Sequence, residues 1–207
     1  MIAVVDYGAG NLGSVHKALR FIGAPVEVSR DPERVARADA LVLPGVGAFH
    51  RCMSGLAEAG LTGPVRAFIA SGRPFLGICV GLQMLFAESE EHGAEPGLGV
   101  LPGRVVRFRF EGAAGEGLKV PHIGWNTLRF PRPGALFRGV PEGARAYFVH
   151  SYYPVPEEPD VTTAETEYGR PFCCAVERGS VHATQFHPEK SGEVGLQILR
   201  NFVALTA

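Results

Sequence analysis

The sequence predicts one α/β domain with a mostly parallel sheet and helices on both faces. Two observations carry the prediction. Through the first half, short apolar runs alternate with amphipathic stretches of helical spacing, the pattern of strand–helix units feeding a parallel sheet. Across all 207 residues no linker, repeat or low-complexity tract divides the chain, and a chain of that length buries a sizeable core. Residues 1–207 are therefore expected to form a single domain. In the second half, strand-like pieces are expected to extend the sheet or pack against it, antiparallel strands among them.

Residues 2–5 (IAVV) read as the first strand. A glycine-rich turn follows, then a helix over 11–22, with Leu12, Val15, Leu19 and Ile22 at helical spacing. A short strand at 26–28 and a short helix at 32–36 come next. The buried strand 40–43 runs into Pro44-Gly45-Val46-Gly47. Helices are expected over 48–59 and 64–70, the second with Pro64 in its first turn. Residues 74–78 form another apolar strand, followed by a helix over 80–87. The stretch 93–117 is rich in Gly and Pro. Within and beside it, "GRVVRFRF" alternates with period two, so Arg107 and Arg109 share one face and Val106, Phe108 and Phe110 the other. Strands are read at 146–152, 161–165, 172–177 and 181–185. A last helix over 193–204 places Val194, Ile198, Leu199 and Phe202 on one side.

Charge narrows the function classes. The net charge is −1, with no block of like charge, which argues against a nucleic-acid binder or an anionic-membrane binder. The Arg107–Arg109 strip then reads as the solvated face of an amphipathic strand. No apolar run approaches the ~18 residues of a membrane span. No basic region precedes a long apolar stretch at the N-terminus, so the expected compartment is the cytoplasm. There the four cysteines, Cys52, Cys79, Cys173 and Cys174, are expected to be free thiols.

One of them has a distinctive setting. Gly77-Ile78-Cys79-Val80-Gly81 lies between a buried strand and a helix, the composition of a nucleophile elbow with Cys in place of Ser. Such a sharp turn needs small flanking residues, and the helix N-terminus favours a thiolate. The plain alternative is a buried core cysteine. Near the end of the chain stands His187-Pro188-Glu189. If this segment is extended, His187 and Glu189 point to one face and supply a base and its orienting carboxylate. Alone, His187 reads as a polar loop residue. An oxyanion would need donors, for which the Val80 N–H and the turn Gly45-Val46-Gly47 are the candidates. That turn also reads simply as a tight strand-to-helix connection.

A different motif competes. Gly8-Ala9-Gly10-Asn11-Leu12-Gly13 fits G-x-G-x-x-G, and Glu27 follows 19 positions after Gly8, as in a dinucleotide-binding turn. A nicotinamide dehydrogenase, however, leaves both the Cys79 elbow and His187-Pro188-Glu189 unexplained.

"LPGVGAF", "FLGICVGLQMLF" and "ATQFHPEKSG" resemble the class I (triad) glutamine amidotransferases, whose fold is flavodoxin-like. "VVDYGAGNLGSV", "PHIGWN" and "YFVHSYY" resemble, within that family, the glutaminase subunits of imidazole glycerol phosphate synthases of histidine biosynthesis. The motifs run from the first strand to the last helix. The resemblance implies that Cys79 attacks the side-chain amide of glutamine. An oxyanion forms against N–H groups near Val80 and Gly47. His187, oriented by Glu189, protonates the departing ammonia, and water cleaves the glutamyl thioester. Gln83, one helical turn past Cys79, is expected to hold the amino-acid end of glutamine. Gly45 and Val46 are expected to join it, with His150, Ser151 and Tyr152 on a second substrate-holding strand. No cofactor and no metal are implied.

The implied partner is a (β/α)8-barrel cyclase, forming a heterodimer that keeps ammonia out of bulk water. On that reading the glycine-rich turn near the N-terminus faces the cyclase, with Gly10 and Asn11 at the contact and Trp125 and Lys190 as further docking residues. A turn of the Val46-Gly47 peptide would couple glutamine cleavage to the cyclase. The remaining rivals are a glutaminase feeding another synthase, a stand-alone cysteine hydrolase, and a binding protein on an inactive amidotransferase fold. The intact Cys79, His187 and Glu189 argue against the last.

Overall fold

Strand β1 (Ile2–Val5) is buried along its whole length. It has neighbours on both edges, so a run of Ile, Ala and Val suits it and no polar face is needed. The structure, a computed structural model, describes residues 1–110 and 117–206. After β1 come α1 (Leu12–Phe21), β2 (Val26–Ser29), α2 (Pro32–Arg37), β3 (Ala40–Gly45), α3 (Phe49–Glu58), α4 (Thr62–Ala70), β4 (Phe75–Cys79) and α5 (Val80–Gln83). Helix α2 shows how local sequence sets a start. Asp31 accepts the Glu33 N–H at 2.9 Å, and Pro32 occupies the first turn, where its missing N–H costs nothing.

The second half adds β5 (Phe86–Ser89), β6 (Glu95–Pro96), β7 (Leu101–Arg107), β8 (His122–Thr127), β9 (Arg145–His150), β10 (Tyr152–Pro156), β11 (Thr162–Glu167), β12 (Pro171–Arg178), β13 (Val181–Thr184) and α6 (Gly192–Ala204). The main sheet runs β11-β12-β13-β4-β3-β1-β2. Strands β2, β1, β3, β4 and β13 are parallel, and β12 and β11 extend one edge as antiparallel strands. This is the doubly wound order, which reverses between β1 and β3 and places ligands beyond the C-terminal strand ends. Strands β10-β7-β5-β6 form a second sheet, and β8 and β9 a two-stranded one.

Three expectations need correction. The helix expected over 80–87 stops at Gln83. Phe86 then pairs with Leu101 of β7, and the Leu85 carbonyl accepts the N–H groups of Val100 and Leu101. Leu82, Met84, Leu85 and Phe86 are all buried, so the run has no polar face to mark its period, and pairing with β7 decides it. The strand expected over 146–152 breaks at Ser151 into β9 and β10, which join different sheets. Strand β8 lies in a stretch for which no strand is expected. The arginine strip stands as read: Arg107 and Arg109 are exposed, Phe108 is buried, and Arg109 meets Glu90 at 3.0 Å. Residues 111–116 of the glycine-rich stretch lie outside the described residues. No helix among the described residues is long and apolar enough to cross a membrane.

Candidate active site

The turn that carries Cys79 is made by close backbone packing. Cys79 ends β4 and precedes α5 with φ 57° and ψ −110°, a conformation that costs about 1–3 kcal/mol. A Cβ on Gly77 would lie 2.7 Å from the Gly81 carbonyl oxygen, and one on Gly81 would overlap the Leu43 carbonyl of β3. These two glycines let β3, β4 and α5 close on one another. Tyr7 pins the same corner by donating to the Pro44 carbonyl at 2.7 Å. Burial pushes the Tyr7 phenol's pKa up, so it remains a donor.

His187 follows β13, the strand beside β4. The segment after it is not extended: Pro188–Lys190 is a 3-10 turn. His187 itself is extended, and the turn folds Glu189 back against it. Glu189 Oε1 accepts from His187 Nδ1 at 2.8 Å, with both side chains 1% exposed. Backbone ties hold the turn to β9. The His187 N–H donates to Tyr147 O at 3.0 Å, while Ser191 Oγ donates to His187 O at 2.7 Å and accepts the Tyr147 N–H at 3.0 Å. Asn11 reaches the same carboxylate, its Nδ2 donating to Glu189 Oε1 at 3.4 Å. The glycine-rich turn after β1 therefore meets the Cys79 site through Asn11.

Burial alone would drive the His187 imidazolium's pKa down. The Cys79 side chain and the Glu189 carboxylate beside it outweigh burial and raise it to about 10. At neutral pH the ring is an imidazolium with a proton to give. Its Nε2 has no hydrogen-bond partner among the described residues. Cys79 and His187 line one cavity of about 280 Å³, smaller than the ~300 Å³ at which drug-sized pockets begin.

Val46, Gly47, Val80, Gln83, His150, Ser151 and Tyr152 also line that cavity. Gly45 is not on its wall. It is buried, paired with Cys79 across the sheet, and a Cβ there would meet Val80 Cβ at 2.8 Å. Gly47 has φ +87°, and a Cβ there would meet no heavy atom within 4 Å, so its requirement is conformational. The Val46 carbonyl accepts from Cys52 Sγ at 3.5 Å. Burial pushes the Cys52 thiol's pKa up and keeps that proton in place. Across the planar peptide, the Gly47 N–H faces the opposite way. The Val80 N–H opens α5, where first-turn donors lack helical partners. Sequence reading missed Glu91, Pro121 and Val149 on the wall, and Gln185, whose Nε2 lies 3.7 Å from Cys79 Sγ. Glu91 sits in a polar loop with no pattern to mark it.

A family model described as glutamine amidotransferase class-I matches residues 3–205. The chain belongs to the class-I glutamine amidotransferase family. It is 56% identical over 203 residues to an imidazole glycerol phosphate synthase subunit HisH from Syntrophotalea carbinolica, covering 98% of each chain. A protein of the same description from Moorella thermoacetica is 53% identical over 201 residues, covering 97% of this chain and 93% of that one. Among solved structures, PurLQS from Thermotoga maritima superposes with TM-score 0.72 at 18% identity, covering 98% of this chain and 97% of that one. That likeness concerns the fold.

In this amidotransferase the residues expected at a partner contact divide. Gly10 has φ +113°, and a Cβ there would press on Pro44 at 3.2 Å, so its glycine answers an internal need. Trp125 is 47% exposed beside Tyr147, and Lys190 Nζ lies 5.9 Å from the Tyr147 ring centroid. Exposed Trp125 and Lys190 flank the half-buried Tyr147, a group drawn from β8, β9 and the His187 turn. Among the described residues no set of three or more His, Cys, Asp or Glu is placed to hold a metal. A larger concavity of about 570 Å³, lined by Arg104, Arg107, Arg109 and Arg170, lies on the second sheet and holds none of the Cys79 site.

Proposed function

We propose that this amidotransferase is the glutaminase subunit of an imidazole glycerol phosphate synthase. It releases ammonia from glutamine for a (β/α)8-barrel cyclase that makes imidazole glycerol phosphate and AICAR in histidine biosynthesis. The observation that carries the reading is Cys79 on a strained strand–helix turn, sharing a small cavity with His187, whose ring is backed by a buried carboxylate. The relatives' shared description as HisH subunits supports the choice of synthase.

Cys79 Sγ attacks the glutamine amide carbon. The tetrahedral oxyanion is met by the Val80 N–H, and by the Gly47 N–H once the Val46-Gly47 peptide turns. That turn gives up only the weak Cys52 thiol bond. Each such donor accounts for about 10²–10³ in rate. His187 passes its Nε2 proton to the leaving nitrogen, and ammonia departs. The ring, now neutral, takes a proton from water as that water attacks the thioester, and glutamate leaves. Glu189 orients the ring throughout, and Asn11 steadies Glu189. Ser151, Tyr152, His150, Gln83 and Val46 hold the amino-acid end, with Gly45 supporting the turn from behind. Glu91, the one acidic side chain on the wall among the described residues, suits the substrate ammonium. Trp125 and Lys190 face the cyclase.

The test is glutamate release by the chain alone and with its cyclase plus the cyclase's ribonucleotide substrate. Slow release alone, a large rise in the complex, and loss of at least about 10³-fold in Cys79→Ala are expected. Equal rates with and without the cyclase would point instead to a stand-alone hydrolase or another synthase.

A further inference from the structure

Four groups around the cavity, three of them buried side chains, have their hydrogen-bond directions forced, and the chain of bonds ends on Cys79. The Tyr152 carbonyl can only accept. It lies 3.0 Å from Gln83 Nε2 and 2.8 Å from His150 Nδ1. The nitrogen end of the Gln83 amide is thereby fixed, and so is an Nδ1–H on His150. The second Gln83 hydrogen goes to Gln185 Oε1 at 3.1 Å. With its oxygen committed there, the Gln185 amide must turn its nitrogen the other way, onto Cys79 Sγ at 3.7 Å. Gln83 and Gln185 are both buried, so water does not offer either amide an alternative partner. Turning over the Gln83 amide would set its oxygen against the Tyr152 and Gln185 oxygens, and turning over Gln185 would set N–H against N–H.

We propose that Gln185 is a further catalytic residue, whose Nε2–H donates to the Cys79 sulfur and stabilises it as the thiolate, and that Gln83 is a positioning residue that fixes this orientation. A donor to a charged sulfur favours the anion over the thiol. It also offers the sulfur a partner that does not depend on where the His187 proton resides. After His187 has given its proton to ammonia, the ring no longer carries positive charge, while Gln185 keeps its N–H. The amide then remains to receive the thiolate that leaves when the thioester is cleaved. The other titratable groups bearing on Cys79 are His187, Tyr7 and Cys52, with Glu91 and His150 on the cavity wall.

Iodoacetamide alkylation of Cys79, followed against pH by mass spectrometry, tests this without glutamine. Gln185→Met keeps the length and removes the donor, so the midpoint of the profile is expected to rise by about one unit or more. Gln83→Met leaves the donor present but unforced, so a smaller rise is expected. A Gln185→Met midpoint within about 0.3 units of the parent, on the same scale, overturns the proposal. Should Gln185→Met fail to fold, the parent decides. Its Gln185 side-chain amide resonances are expected to move as Cys79 titrates, and resonances that stay still overturn the proposal. The inference rests on Cys79 being the nucleophile. Glutamine turnover by the parent complex tests that role separately: a silent parent removes the role, whereas an active parent with an unshifted Gln185→Met midpoint removes only this inference.

Discussion

Cys79 keeps its φ of 57° where Gly45, Gly77 and Gly81 let β3, β4 and α5 close tightly around it. The same logic of local constraint applies to Asn11. One half-buried amide contacts the carboxylate that orients His187, so its loss should be felt in turnover before binding. Asn11→Ala in the cyclase complex is expected to lower kcat about tenfold with KM for glutamine nearly unchanged, since a hydrogen bond to a charged group is lost. A purely docking residue would instead weaken the complex and leave kcat at saturating cyclase intact. Steady-state kinetics at two cyclase concentrations separate the outcomes. At this scale Cys79, His187 and Glu189 are legible in sequence because a turn flanked by glycines and a His-Pro-Glu run are local patterns. Gln185 and the Asn11–Glu189 contact are not, because each joins residues more than a hundred positions apart. No local spacing encodes such a meeting.

At the scale of elements, the site depends on how closely β3, β4 and α5 approach. Gly81→Ala would drive a methyl group into the Leu43 carbonyl, which is backbone in the middle of the sheet. Destabilisation of about 3 kcal/mol is expected from such overpacking, or a fall of about 6–12 °C in Tm for a chain of this size. Calorimetry on the isolated chain checks it, and a Tm within a degree or two of the parent would show that the turn has room. Strands β1, β3 and β4 were readable because each is a largely apolar run. Strand β5 was not, since Met84, Leu85 and Phe86 are buried whichever period they adopt. Strand β8 escaped for another reason. Its inward residues are His122 and Asn126, and His122 lies 3.0 Å from His150 within a cluster of aromatic rings. Buried polar residues give no hydrophobic alternation to read.

For the molecule as a whole, two sets of histidines oppose each other across pH. Raised to about 10, His187 contributes stability that is complete below its unfolded value near 6.5 and is lost as pH climbs toward 10. Burial lowers His122 to about 4 and His150 to about 3. Their contribution is complete above 6.5 and is lost as pH falls toward those values. Stability from these groups should therefore peak near pH 6.5. Urea midpoints between pH 6.5 and 9 are expected to fall in the parent and to fall less in His187→Gln. Above 9 the buried thiols Cys52, Cys173 and Cys174, all raised by burial, join the loss in both proteins. Parallel curves below pH 9 would show that His187 is not held as an imidazolium.

The bond between Asn11 and Glu189 spans 178 positions, and Cys79 meets His187 only when β13 has docked beside β4. Contacts of such separation form late, because chain entropy must be given up before they can close. A growing chain that has emerged only as far as β12 carries the elbow but neither His187 nor Glu189. Cys79 then lacks both partners and leaves the glutamine around it untouched. On the proposed mechanism, catalytic competence thus arrives with the last quarter of the chain, and turnover reports that folding is complete.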